Sequence, residues 1–128
     1  RILAEPGKSP RFIWENGLLD ALGKEGMELE TVVCGGKDSL VQQREQWLSG
    51  TNSFAFAPGK ILTYDCNPAT LEAFAKAGFT LRKAEDFLSG QERVEDHRRL
   101  VVGFPGAELA RGGGGVRCMT MPVEREPE

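Results

Sequence analysis

The sequence predicts an α/β protein of the α+β type, in which short helices and strands alternate along the chain. Three patterns indicate this: leucines at helical spacing within residues 17–24, an apolar hairpin pattern on both sides of Pro58-Gly59, and an unbroken apolar run over Leu100–Phe104. The chain has 128 residues, of which 40% are hydrophobic and 27% charged. Its length and composition are those of a globular domain.

The first half of the chain predicts a helix over residues 17–24, a strand over residues 28–34 and a second helix over residues 39–49 that closes at Gly50. Phe54–Ala57 and Lys60–Tyr64 are predicted to pair as a hairpin. Proline presets the first position of the turn between them, and glycine accepts the positive φ of the second.

The second half predicts a helix over residues 67–77, with Leu71, Phe74 and Ala75 on one face and Gly78 at its end. Further strands are expected at residues 79–82, 100–104 and 117–123. The charged segment 82–99, which contains Ser89-Gly90, is expected to be exposed on the surface.

A cysteine follows a run of four glycines, in the order Gly112-Gly113-Gly114-Gly115-Val116-Arg117-Cys118. Glycines let the main chain approach a ligand closely, and the positive charges of Arg111 and Arg117 favour the reactive thiolate form of a nearby cysteine. This pattern indicates a nucleophile at Cys118. The alternative is that Cys118 begins a core strand, because cysteine is often buried as a small hydrophobic residue.

The other two cysteines are expected to be structural. Cys34 ends an apolar run before two glycines, and Cys66 lies in a turn between a strand and a helix. The spacing of the three cysteines fits neither a disulfide framework nor a zinc site, so we expect no metal and a cytoplasmic location.

The composition also bounds the partners. No apolar run approaches the ~20 residues of a transmembrane helix, and a net charge of −3 with scattered basic residues gives no footprint for nucleic acid. We therefore expect neither a membrane nor a nucleic-acid partner.

Three blocks of the sequence resemble the arginine deiminases of the guanidino-group-modifying, or pentein, superfamily. In order they are Cys34-Gly35-Gly36-Lys37-Asp38 with Gln43-Arg44-Glu45-Gln46-Trp47-Leu48-Ser49-Gly50-Thr51-Asn52, then Ala55-Phe56-Ala57-Pro58-Gly59-Lys60 with Tyr64-Asp65-Cys66-Asn67, then residues 108–122. The joint match of three ordered blocks is strong where one block alone would be weak.

The resemblance implies a hydrolase that converts arginine to citrulline and ammonia without a cofactor, through a thiouronium intermediate on Cys118. It also implies contacts of Arg111, Gly112 and Gly113 with the small guanidino substrate. The fold it implies is part of a pentein α/β propeller built from ββαβ-type units. Residues 1–128 would be the C-terminal fragment of that catalytic domain, and residues 82–99 a surface insertion that typical members shorten.

Two departures from the family pattern stand out. Gly113 occupies the position where many arginine deiminases have a second arginine. The His-x-Asp motif that the reaction needs is absent, and the single histidine, His97, is expected on a solvated charged face. We therefore expect the base to come from a missing N-terminal part or a companion chain, and the isolated chain to be inactive.

Alternatives remain for the function and for one block. An amidinotransferase would use the same intermediate but pass the amidino group to an amine, and a truncated pentein module would bind a partner or ligand without turnover. The block around Trp47 has two interpretations. Trp47, Leu40 and Val41 could pack a helix against the core, or Arg44 and Glu45 could orient the backbone near the mouth of the active site. Asn52 is similarly ambiguous.

Overall fold

The computed structural model describes residues 2–3, 6–9 and 11–124 and divides the chain into two compact units, Arg1–Thr31 and Val32–Glu128. Residues 1, 4, 5, 10 and 125–128, which the predicted 1–128 domain includes, lie outside the described residues. In the first unit, β1 (Ile2–Leu3) pairs antiparallel with β2 (Arg11–Phe12). Helix α1 (Leu18–Lys24) follows and confirms the helix predicted there.

The second unit is built on a mixed four-stranded sheet with the order β3-β4-β6-β5. Its strands are β3 (Phe54–Ala57), β4 (Lys60–Tyr64), β5 (Thr80–Lys83) and β6 (Leu100–Phe104). Strands β3 and β4 form the predicted hairpin, with Phe54 opposite Leu62 and Gly59 in the turn at φ 71°. Strand β6 pairs parallel with both β4 and β5. The sequence prediction of an α+β protein is confirmed.

The helices of the second unit are α2 (Ser39–Trp47), α3 (Pro68–Lys76), α4 (Ala84–Leu88) and α5 (Ala107–Arg111). The predicted helices over residues 39–49 and 67–77 are thus confirmed. Asp38 caps α2, because its side chain accepts the N–H groups of Leu40 and Val41 at 2.9 and 3.1 Å. Among the described residues, no helix has the length and apolar character to cross a lipid bilayer.

The core of the sheet is β6, one of its two inner strands, in which Leu100 and Val101 are completely buried. A strand flanked on both sides by parallel neighbours is typically a continuous apolar run, as this one is. A second cluster surrounds Tyr64, which is 1% exposed and meets the Phe104 ring edge to face at 5.3 Å. Ala110 and Val116, on either side of the glycine run, pack into the Tyr64 cluster.

Two predicted strands are wrong. Residues 28–34 form no strand, and the alternation there creates no buried face, since Leu29 and Val33 are 60% and 51% exposed. Residues 117–123 instead begin with a single 3-10 turn, Arg117–Met119. Local hydrogen bonds such as Cys118 N–H to the Gly115 carbonyl, 3.1 Å, satisfy that backbone without a strand partner.

Residues 84–99 connect β5 to the parallel strand β6. A parallel pair cannot be joined by a tight hairpin and needs a crossover, which here contains α4 and a 3-10 turn, Val94–Asp96.

The expectation of a solvated His97 is wrong: its side chain is 11% exposed, with Nε2 2.8 Å from Glu92 and the ring edge to face against Phe87. Glu92 also accepts a 2.5 Å bond from Arg82. The lone histidine is thus part of the packing of the crossover.

A buried carboxylate joins α2 to α3. Glu45 is 0% exposed, and it accepts the N–H groups of Ala69 at 3.0 Å and Thr70 at 2.8 Å and the Thr70 hydroxyl at 2.7 Å. Ala69 and Thr70 lie in the first turn of α3, where backbone N–H groups lack helical partners and a negative charge is favoured. Asn67, the residue before α3, makes no capping bond. Glu45 therefore caps α3 in its place.

These bonds set the pKa of Glu45. Burial disfavours the charged form, but the hydrogen bonds from the Thr70 hydroxyl and from the Ala69 and Thr70 amides outweigh it, and the pKa is lowered from its ordinary value. Stability from this group is therefore fully present above the unfolded-state pKa and is lost as the pH falls through the lower folded-state pKa.

We predict that Leu100→Ala lowers the free energy of unfolding by about 2–5 kcal/mol, because it leaves a cavity in the inner strand. Leu88→Ala is the matched control. Leu88 is 87% exposed on α4, so the change should stay within about 0.5 kcal/mol. Urea unfolding followed by circular dichroism measures both, and similar losses in the two variants would contradict the assignment of the core.

We predict that Glu45→Gln lowers the free energy of unfolding at pH 7 by about 1–3 kcal/mol, since the amide leaves buried donors of α3 without an acceptor. The difference from the unsubstituted chain should shrink as the pH falls from 5 to 3. Glu72→Gln, which removes an exposed carboxylate of α3 paired with Lys76, serves as the control. A constant difference between pH 7 and pH 3 would show that the Glu45 charge does not stabilise the fold.

Candidate active site

Cys118 lies at the surface, on the 3-10 turn that follows the glycine run. Helix α5 ends at Arg111, and Gly113 and Gly114 then adopt φ of 84° and 96°, which brings the chain back toward β3. Among the described residues the thiol is free of any disulfide. The prediction that Cys118 begins a core strand is therefore wrong, and an accessible thiol stands at this position.

The side chain of Asn52 contacts the thiol. Its side-chain Nδ2 donates a hydrogen bond to Cys118 Sγ at 2.7 Å, and its backbone carbonyl accepts the Arg117 N–H at 3.3 Å. The two segments, 66 residues apart in sequence, are thus joined by one side-chain and one backbone bond.

Gly115 makes this contact possible. A Cβ at position 115 would lie 2.4 Å from Asn52 Cβ and 2.8 Å from the Asn52 carbonyl oxygen, closer than such atoms approach. Any larger residue at position 115 would push the Asn52 segment away from the thiol. From the sequence, the glycine run is expected to let the backbone approach a ligand. The structure shows that Gly115 instead lets two segments of the protein approach each other.

The contacts also set the reactivity of the thiol. The pKa of Cys118 is lowered from its ordinary value, first by the hydrogen bond from the Asn52 amide and second by a hydrogen bond with the Gly115 backbone. Burial acts in the opposite direction, and the charge of Arg117 contributes less than either hydrogen bond. The thiolate, which is the nucleophilic form, is favoured chiefly by hydrogen bonding.

The other sequence-predicted residues, Arg111, Gly112 and Gly113, lie at the end of α5 and directly after it. Arg111 is 71% exposed and forms a two-oxygen ion pair with Glu108 at 3.0 and 3.1 Å. Gly112 ends α5 in a right-handed conformation. Arg111 and Gly113 line a groove together with Trp47 and Ser49, and Gly114 connects that groove to Cys118, whose Cβ is 3.6 Å from where a Gly114 Cβ would lie.

The exposure of Trp47 rules out one of the two interpretations of the block around it. It is 85% exposed, and Leu40 is 74% exposed, so the idea that they seal α2 against the core is wrong. The indole instead forms one wall of the groove beside the glycine run. A large exposed aromatic ring in a groove beside the glycine run is suited to contact with a ligand or with another part of the protein.

The two remaining cysteines differ from Cys118. Cys66 is partly buried in the turn between β4 and α3, where the sequence predicts it, and burial raises the pKa of its thiol. Cys34 is partly buried in a turn rather than at a strand end, and its Sγ lies 3.3 Å from the hydroxyl oxygen of Thr70. Of the three thiols, Cys118 combines exposure with a favoured thiolate.

Asn52 is the residue whose role the sequence left open. The only sign of it in the sequence is its position directly after Gly50-Thr51 in the first block, and nothing in that spacing indicates contact with a residue so distant in the chain.

Beneath the site, the buried Tyr64 donates from its hydroxyl to Met119 Sδ at 3.8 Å, which ties the 3-10 turn to the core.

Comparison with known proteins gives consistent matches. The arginine deiminase family profile matches residues 11–125. The arginine deiminase of Listeria monocytogenes serotype 4a is 36% identical over 118 residues, which cover 92% of this chain and 23% of that protein. The arginine deiminases of Latilactobacillus sakei and Mycoplasma capricolum are each 39% identical, over 88% and 85% of this chain and 22% and 21% of their own lengths.

The chain thus spans less than a quarter of the length of these relatives. The family match nevertheless includes the Asn52 segment, the glycine run and Cys118. Because this match extends over most of the sequence, the chain belongs to the arginine deiminase family.

Proposed function

We propose that this chain is the C-terminal, nucleophile-bearing part of an arginine deiminase, and that Cys118 is its covalent catalyst. The observation that carries the proposal is the 2.7 Å hydrogen bond from Asn52 to an exposed thiol, in a chain that belongs to this family. A donor aimed at sulfur stabilises the thiolate before substrate arrives, as an activated nucleophile requires.

In the proposed reaction, the Cys118 thiolate forms a bond to the guanidinium carbon of arginine. A terminal C–N bond then breaks, and ammonia leaves with a proton supplied by a general acid. A general base takes a proton from water as its oxygen adds to the resulting thiouronium carbon. The C–S bond then breaks as the new hydroxyl loses its proton, and citrulline and the thiolate are released. The division of one difficult substitution into two steps is the benefit of covalent catalysis.

The general acid and base are proposed to come from outside these 128 residues. Proton transfer at neutral pH suits histidine, and the single histidine of the sequence is held by Glu92 and Phe87 in the crossover. We propose that the fold, like the catalytic machinery, is completed by other parts of the protein. The order β3-β4-α3-β5 would then be one ββαβ unit of a propeller. Arg111, Gly112 and Gly113, beside the groove, are proposed to face the substrate.

We predict that a haloacetamidine reagent labels Cys118 of the folded chain at pH 7 on the order of tenfold faster than Cys66, since the pKa of Cys118 is lowered and that of Cys66 raised. Asn52→Ala should slow this reaction and move the midpoint of its pH dependence upward, with little change in rate at high pH. Gln91→Ala, which removes an exposed amide, is the control. Peptide mass spectrometry follows each cysteine, and equal labelling of all three would count against an activated thiol.

Catalysis is testable in a chimera in which this chain replaces the matching residues of the Listeria monocytogenes arginine deiminase. We predict that the chimera releases citrulline from arginine and that Cys118→Ser lowers its kcat by more than about 10⁴-fold. Cys66→Ser should remain active, and the isolated chain should release no citrulline. A folded Cys118→Ser chimera that keeps its activity would refute the proposed role of this thiol.

A further inference from the structure

Residues 48–52 connect α2 to the site, and their conformation is held from several sides. The Leu48 carbonyl accepts the Asn67 side-chain amide at 3.0 Å, and the Gly50 N–H donates to the backbone carbonyl of Glu45 at 2.8 Å. Ser49 has φ 60°, a strained value for a residue other than glycine, and its carbonyl accepts the Asn52 N–H at 3.0 Å. Such a conformation persists only where the surrounding structure enforces it.

The packing of Gly50 is part of what enforces it. A Cβ at Gly50 would lie 2.7 Å from Cys34 Sγ, 2.8 Å from the Glu45 carbonyl oxygen and 3.3 Å from Thr70 Oγ1, so the segment packs closely against Cys34 and the end of α2, with the Thr70 hydroxyl beside them. Thr70 Oγ1 also accepts the Gly35 N–H at 2.9 Å. The hydroxyl donates to the Glu45 carboxylate at 2.7 Å, so its orientation depends on that charge.

Glu45 thus acts at two points of the same segment. Its carboxylate fixes the first turn of α3, and with it Asn67, whose amide holds Leu48. The carboxylate also orients the Thr70 hydroxyl, which lies beside Gly50. Both routes end at Asn52, the donor to Cys118.

We propose that Glu45 is a positioning residue for the Cys118 nucleophile, acting through residues 48–52 and Asn52. The inference rests on the proposed function of Cys118. Glu45 touches neither the thiol nor a substrate; it holds the loop in the one conformation that places the Asn52 amide on sulfur. A buried charge held by two backbone amides and a hydroxyl suits this role, because moving it would leave donors and acceptor unpaired. The charged group that faces Glu45 is Arg44, whose exposed side chain brings Nη2 to 3.3 Å from Glu45 Oε1.

The test is the pH dependence of Cys118 alkylation by iodoacetamide in the 128-residue chain, followed by peptide mass spectrometry under conditions where circular dichroism shows each variant folded. Glu45→Gln is expected to raise the midpoint and to slow the reaction at pH 7 about three- to tenfold, with nearly the same rate at high pH. Thr70→Val, which removes only the hydroxyl, should act in the same direction, and Thr70→Ser should restore the original midpoint. Glu72→Gln, on the exposed face of α3, should leave it unchanged.

A double variant separates positioning from general loosening. In an Asn52→Ala background, Glu45→Gln should shift the midpoint no further, because its effect passes through Asn52; additive shifts would overturn the inference. An unchanged midpoint in folded Glu45→Gln or Thr70→Val would also overturn it, and Thr70→Val decides the matter if Glu45→Gln does not fold. If Cys118 of the unsubstituted chain reacts no faster than Cys66, the proposed function itself fails.

Discussion

The capping of α3 by the Glu45 carboxylate is the interaction on which the rest of this structure depends. A buried charge is costly unless hydrogen bonds replace its water. Here the replacement comes from two backbone amides and a hydroxyl at the start of a helix, with a longer bond of 3.3 Å from Arg44. Because Glu45 supplies the cap, the side chain of Asn67 is available to hold the Leu48 carbonyl. The end of α2, the start of α3 and the segment between α2 and β3 are therefore fixed by one carboxylate.

The site beyond that segment is organised by hydrogen bonds more than by charge. The sequence suggested that Arg111 and Arg117 would favour a thiolate at Cys118. In the structure Arg111 is paired with Glu108, and Arg117 contributes less than the Asn52 amide. A neutral donor at a fixed distance does most to favour the thiolate, and the positive charge of Arg117 adds a smaller contribution. Such an arrangement is compatible with the chemistry proposed for this family member.

The sequence predicted the elements whose signals are local. Leucine spacing located α1, Pro58-Gly59 located the hairpin, and the apolar run at residues 100–104 located the buried inner strand. The two false strands failed because alternating or apolar residues specify a strand only when a partner and a buried face exist, and Leu29, Met121 and Val123 are exposed. Cys118 was found from its glycine run and family resemblance. Asn52 and Glu45 could not be placed, because their roles depend on contacts with residues 66 and 25 positions away.

The central claim is that a fold-enforced hydrogen bond from Asn52 makes Cys118 the reactive thiol. The most direct measurement is an NMR titration of the chain labelled with ¹³C at cysteine Cβ, whose chemical shift reports thiol ionisation at each site. We predict that Cys118 ionises with a midpoint below the ~8.5 of an unperturbed cysteine and Cys66 above it, and that Asn52→Ala raises the Cys118 midpoint alone. A Cys118 midpoint equal to or above that of Cys66 would contradict the account.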